Sequence, residues 1–133
     1  ENEEIGIFVF NNKTRKWLTN SLSYRLKGTG YTVQTYSSDL GLKGANELQF
    51  DKPKTITVLC FASAKGLEFD TVFLPELQLF PTGGGQDLNA KMTLYVMCSR
   101  ARKFLVLMVS DLNRKNDIWN ILPSDPTLFE FEE

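Results

Sequence analysis

Residues 5–36 read as strand, helix and strand in immediate succession, and this order restricts the fold more than any other feature of the chain. Residues 5–10 (IGIFVF) are a short apolar run rich in β-formers, which predicts a strand. From about residue 14 to residue 27, Leu18, Leu22 and Leu26 recur every four positions. That period predicts a helix with one apolar stripe, capped by Asn11 or Asn12 and stopped by Gly28 and Gly30. Residues 31–36 (YTVQTY) predict a second strand. Strands joined through a helix lie parallel, because a parallel pair needs a crossover of about a dozen residues or more.

The remainder continues the alternation. Residues 37–53 are polar, contain Gly41 and Gly44, and read as a long loop or a degenerate connection. Residues 55–61 (TITVLCF) predict a third strand, apolar almost throughout, as in a sheet covered on both faces. Residues 71–74 give a fourth strand, and residues 81–86 (PTGGGQ) are flexible by composition. Residues 88–101 predict a helix with Leu88, Met92 and Tyr95/Val96 on its apolar face. Residues 104–109 (FLVLMV) predict the last central strand, and residues 118–122 a short closing helix. The expected class is a three-layer α/β domain with a mainly parallel central sheet. At 133 residues and 42% apolar content, the chain can bury one core without a disulfide or metal staple, so residues 1–133 are expected to be a single domain. Four residues precede the first strand, as expected of a domain excised from a longer chain, although a small native protein can also start this way.

Composition removes several kinds of chemistry. There is no histidine, which excludes a Ser-His-Asp triad and a histidine metal ligand. Cys60 and Cys98 lie in apolar runs without zinc-site spacing and are expected to be free thiols in a reducing, cytoplasmic setting. No apolar stretch is long enough to span a membrane, and no signal peptide opens the chain. The net charge of −1 gives no global attraction to nucleic acid, so such binding must come from a local cluster. Lys13, Arg15, Lys16, Arg25 and Lys27 form one such cluster, and Arg100, Arg102 and Lys103 another; by themselves both also read as solvated faces.

In open α/β sheets, ligands sit beyond the C-terminal ends of the strands, and two segments are expected there. Residues 63–70 (SAKGLEFD) place Lys65, Gly66 and Glu68 in a polar turn after the third strand. Glycine lets backbone approach a phosphate closely, and a carboxylate accepts hydrogen bonds from a ribose hydroxyl. Residues 95–102 (YVMCSRAR) place Arg100 at the end of a helix, where a guanidinium fork suits multi-oxygen anions. Taken singly, the first also reads as an ordinary strand-exit turn and the second as a helix-end arginine favoured by the helix dipole.

As a pair, Ala64-Lys65-Gly66-Leu67-Glu68-Phe69 and Leu94-Tyr95-Val96 followed by Ser99-Arg100-Ala101 resemble motifs V and VI of UvrD/Rep-type superfamily 1 DNA helicases, in matching order and spacing. The resemblance implies a C-terminal, second RecA-like domain. It implies that Arg100 is the arginine finger for the γ-phosphate of ATP held on the first RecA-like domain. Glu68 then lies near the ribose and the Gly66 backbone near the γ-phosphate, while Ala62, Ser63 and Lys65 contact single-stranded DNA or couple it to ATP. The partners implied are the N-terminal RecA-like domain of the same polypeptide and single-stranded DNA, with no membrane. The cofactors implied are ATP and Mg2+ in the complete protein, with Mg2+ held by the other domain, and none in this chain alone.

The departures from the family pattern are specific. Cys60-Phe61-Ala62 stands where the family has Thr-x-His, and Asn89-Ala90-Lys91-Met92 replaces a Glu/Arg-rich turn before motif VI. The large domain inserted before motif V is absent, with residues 37–53 in its place. No Gly-x-x-x-x-Gly-Lys-[Ser/Thr] occurs, and neither Lys27-Gly28-Thr29-Gly30 nor Gly83-Gly84-Gly85 supplies one. No Asp-Glu pair ends a strand. The chain by itself is therefore expected to be inactive as an ATPase. A helicase-like binding or regulatory module without hydrolysis is the alternative, and an unrelated α/β domain with chance motifs is the third reading.

Overall fold

The opening apolar run becomes β1 (Ile5–Val9), which lies in the middle of a five-stranded sheet. The computed structural model describes residues 3–37, 46–50, 52–82, 87–114, 118–130 and 132. The other strands are β2 (Thr32–Tyr36), β3 (Thr55–Cys60), β4 (Phe69–Leu74) and β5 (Ala101–Leu107). Their order is β2-β3-β1-β4-β5, and every neighbouring pair is parallel. The expected α/β class is present.

Among the described residues, α1 (Asn12–Arg25), α2 (Asp87–Cys98) and α3 (Ile118–Ile121) flank the sheet. Asn11 caps α1, its side chain accepting from the Thr14 N–H at 2.8 Å. Side chains alternate across a strand, so register assigns the faces. Phe8 and Leu59 are partners and belong to the cluster that includes Ala90, Leu94 and Met97 of α2 and Ile118 of α3. Thr35 and Val58 are partners on the opposite face, where Arg15 of α1 donates from Nη1 to the Thr35 hydroxyl at 2.8 Å. The sheet is thus a middle layer between α1 and the α2–α3 pair.

The strand order makes the β3–β4 link pass across β1. At its end the Phe69 ring lies over Gly6, and a Cβ on Gly6 would sit 2.6 Å from the ring. Glycine in mid-strand here reflects a close approach rather than a flexible hinge. Phe69 also meets Phe8 edge-on, with ring centroids 5.7 Å apart.

Two expectations are corrected. The run 104–109 is not a central strand: among the described residues β5 is the sheet edge, beside β4, and Phe104, Leu105 and Val106 are exposed. The apolar face assigned to α2 is also the wrong one. Ala90, Leu94 and Met97 are buried, whereas Leu88, Met92, Tyr95 and Val96 are exposed. Both sets satisfy a helical period, and only the position of the sheet selects between them. The fourth strand starts two residues earlier than its apolar run. Residues 38–45 and 51 of the long loop, and residues 83–86 of the glycine-rich segment, lie outside the described residues.

Candidate functional site

The loop after β3 is built from inside outward. A 3-10 turn, Phe61–Ser63, closes with the Ala64 N–H donating to the Phe61 carbonyl at 3.2 Å. The Leu67 N–H then donates to the Ala64 carbonyl at 3.1 Å, making a tight turn with Gly66 at its third position. Gly66 has φ +83°, a value that favours glycine. Buried Ala64 and half-buried Leu67 anchor this turn in the core, and the Phe61 ring packs on Phe10. Between these anchors Lys65 and Gly66 are exposed, as are Ala62 and Glu68 on either side of them, while Ser63 is half-buried. A Cβ on Gly66 would meet no atom within 4 Å, so its backbone is open to an incoming ligand.

Arg100 sits where α2 turns into β5. Its backbone carbonyl accepts from the Phe69 N–H at 2.8 Å, and Phe69 and Ala101 are strand partners. Glu68 and Arg100 therefore precede neighbouring strand starts, on chains about 4.8 Å apart. The Arg100 side chain folds back, donating from Nε to the Val96 carbonyl at 3.1 Å and from Nη2 to the Ser99 hydroxyl at 3.3 Å. Both bonds are at the surface.

This arrangement corrects the expected placement of the two segments. Ala62 and Ser63 do follow the C-terminal end of β3, but Glu68 and Arg100 lie at the N-terminal ends of β4 and β5. In an all-parallel sheet, the link from one strand to the next must return over the full height of the sheet. Residues 61–68 do so, which strings one short motif from edge to edge.

The second basic cluster divides. Arg102 pairs with Glu4 and donates from Nε to Asp70 at 3.2 Å, and Lys103 lies 3.6 Å from Asp70. Arg100, by contrast, has no carboxylate within ion-pair distance among the described residues. Asp70 is held below the ordinary aspartate value, chiefly by the Glu4 N–H donating to it at 3.1 Å, with Arg102 and Lys103 adding to the effect against an opposing effect of burial. A depressed folded value means that this stabilisation is complete above the unfolded value of about 3.9 and is lost as the pH falls through the folded one. The thermal midpoint of Asp70→Asn is therefore expected to lie below that of wild type at neutral pH and to converge with it below about pH 4. A gap that stays constant with pH would remove this role.

Comparison with known proteins bears on the same residues. The sequence profile of the UvrD-like helicase C-terminal domain matches residues 18–111, more than two thirds of the chain and all of both motif segments. The chain belongs to the UvrD-like helicase C-terminal domain family. No curated protein sequence matches. Among solved structures, the C-terminal domain of a possible DNA helicase from Lactobacillus plantarum WCFS1 is similar, with a TM-score of 0.53 and 24% identity. The match covers 80% of this chain and 56% of that one, so this chain spans little more than half of its structural relative. At that identity the likeness concerns the fold.

Several features of this UvrD-like domain were not legible beforehand. Arg15, counted with the first basic cluster, is 3% exposed and bonds Asn12 Oδ1 at 3.2 Å as well as Thr35. The Glu4–Asp70–Arg102 group joins residues 66 and 32 positions apart, a separation no local pattern reports. Neither cysteine is in a disulfide, and burial pushes the Cys98 thiol up to about 11, which leaves it protonated and a poor nucleophile. Among the described residues no helix is long and apolar enough to cross a membrane, and no cluster of metal-ligating side chains occurs.

Proposed function

We propose that this domain is the second motor half of an ATP-driven DNA helicase or translocase, acting with an N-terminal RecA-like domain of the same polypeptide on single-stranded DNA. The observation that supports this most is the shared edge of β4 and β5. There Glu68 is exposed and Arg100 lacks an ionic partner among the described residues, while the adjacent Arg102 and Lys103 are neutralised. An open backbone at Gly66, an exposed carboxylate and a guanidinium without an ionic partner among the described residues are fitting donors and acceptors for one wall of a nucleotide site. Arg100 would hold the γ-phosphate, Glu68 a ribose hydroxyl, and Gly66 the phosphate through its backbone. Ala62, Ser63 and Lys65 would contact the DNA backbone or couple it to the nucleotide edge. Bound ATP supplies the phosphoryl group, with Mg2+ held by the other domain. Stabilising charge on the transferring phosphoryl oxygens is what a finger arginine contributes.

Arg100 must unfold from Val96 and Ser99 to reach out of the domain. Exchanging two surface hydrogen bonds for water costs about 1–2 kcal/mol at most, which domain closure can supply. Residues 61–68 run from the DNA-facing end of β3 to the nucleotide-facing start of β4, so one rigid link would join the two tasks. The test is single-stranded-DNA-stimulated ATP turnover by the complete polypeptide. Within it, Glu68→Ala is expected to weaken nucleotide affinity by about tenfold, the loss of one hydrogen bond to a charged group. Equal affinity in a nucleotide titration would show that the ribose contact is not made.

One observation favours the alternative, a binding module without hydrolysis. At the β3 exit, Cys60, with its Sγ 3.3 Å from Asn12 Oδ1, and the exposed Ala62 stand where the family carries a hydroxyl and an imidazole. Absence of DNA-stimulated turnover in the complete wild-type protein would decide for that reading.

A further inference from the structure

The outer face of α1 carries an unusual set of side chains. With about 100° of rotation per residue, Lys13, Lys16, Trp17, Asn20, Tyr24 and the following Lys27 fall within about one third of the helix circumference, opposite Arg15 and Leu22. All six are exposed, Trp17 by 65% and Tyr24 by 82%. A solvated helix face ordinarily interleaves acids with its lysines. Here no Asp or Glu occurs between Glu4 and Asp39, so the stretch holds five basic residues and no acid in a chain whose net charge is −1. Among the described residues, none of the three lysines is in an ion pair. Two large rings left in water beside uncompensated positive charge call for a ligand that is both anionic and flat-faced.

We infer that this face of α1 binds a single strand of nucleic acid, with the lysines on its phosphates and Trp17 and Tyr24 stacked on its bases. A single strand offers unstacked bases to aromatic rings, which a duplex does not. A membrane surface fits less well, because the apolar stripe of α1 already packs on the sheet and leaves no face to insert. The helix is about 21 Å long at 1.5 Å per residue, enough for several nucleotides. Its first residue meets the exit of β3 through the Asn12–Cys60 contact, beside Ala62 and Ser63. The face thus extends the DNA path proposed above, but binding by it requires neither nucleotide nor Arg100.

The experiment is a fluorescence anisotropy titration of the 133-residue chain, without nucleotide, into a labelled oligothymidylate of about 12 nucleotides over a range of salt concentrations. Binding is expected, with a slope of log affinity against log salt near −2, from about 0.7 per phosphate contact and three lysines. Lys13→Gln/Lys16→Gln/Lys27→Gln is expected to remove most of that slope. Trp17→Ala is expected to weaken binding about tenfold and leave the slope unchanged, and Trp17→Phe to restore most of the loss. In a Trp119→Phe background, Trp17 fluorescence should be quenched on binding. Absence of binding by the wild type at low salt, or binding by Trp17→Ala equal to wild type, would overturn the assignment. Because no nucleotide is present, the titration and the ATPase test fail separately.

Discussion

Replacing Arg100 by alanine in the complete polypeptide is expected to lower DNA-stimulated ATP turnover by about 10³-fold or more, with nucleotide binding largely retained. The size of the effect follows from when the contact is made. A guanidinium that meets charge only as the phosphoryl group transfers contributes to turnover and little to ground-state affinity. The structure also gives Arg100 a local role, since its Nε bonds the Val96 carbonyl at the end of α2. Losing that contact costs roughly 1 kcal/mol and cannot by itself produce a thousandfold effect on turnover. Arg100→Lys separates the roles: it keeps the charge at the helix end but loses the planar fork, so stability should hold while turnover stays low. Turnover in Arg100→Ala within tenfold of wild type would remove the finger assignment and leave the helix-end role.

The largest effect on stability is expected at Phe69. Phe69→Ala should destabilise the domain by about 3–5 kcal/mol, seen as a fall of roughly 10 °C or more in the thermal midpoint. The ring is 2% exposed, contacts Phe8 edge-on and covers Gly6. Its loss opens a cavity between β1 and β4 that a glycine cannot fill. The same ring makes Gly6→Ala costly, by about 1–3 kcal/mol of overpacking. The two changes should be strongly non-additive, because the methyl group of one occupies space vacated by the other. Phe69 also donates its N–H to the Arg100 carbonyl, so the variant should loosen the edge that carries Glu68 and Arg100. A loss below about 1 kcal/mol in urea denaturation would mean that the ring is not a core element.

Much of the fold was legible in the chain because the signals that carry it are local. The five strands of the sheet, α1 and α2 arise, among the described residues, where apolar runs and helical periods place them, with boundaries shifted by a few residues. The signature segments were also legible as text: Gly66 takes a positive φ in a tight turn, and Glu68 stays exposed between half-buried Leu67 and buried Phe69. The cap at Asn11 follows from the same kind of near-neighbour chemistry.

What the chain alone could not report were pairings and faces. Leu88, Met92 and Tyr95 have the same helical period as Ala90, Leu94 and Met97, and only the position of the sheet decides which set is buried. The run 104–109 is as apolar as a central strand, yet β5 lies at the edge because the order of strands is set by crossovers. Arg15 resembled a surface cation until the sheet supplied the Thr35 hydroxyl beneath it. Arg100 was expected beyond the C-terminal ends of the strands, and only the all-parallel topology, which returns each link to the opposite edge, puts it beside Glu68. The sequence by itself determined the element types, the turn at Gly66 and the family signature, since each depends on residues a few positions apart. The tertiary structure alone decided which helix face is buried, which basic side chains are neutralised and which edge carries Arg100, because those depend on contacts between residues far apart in the chain.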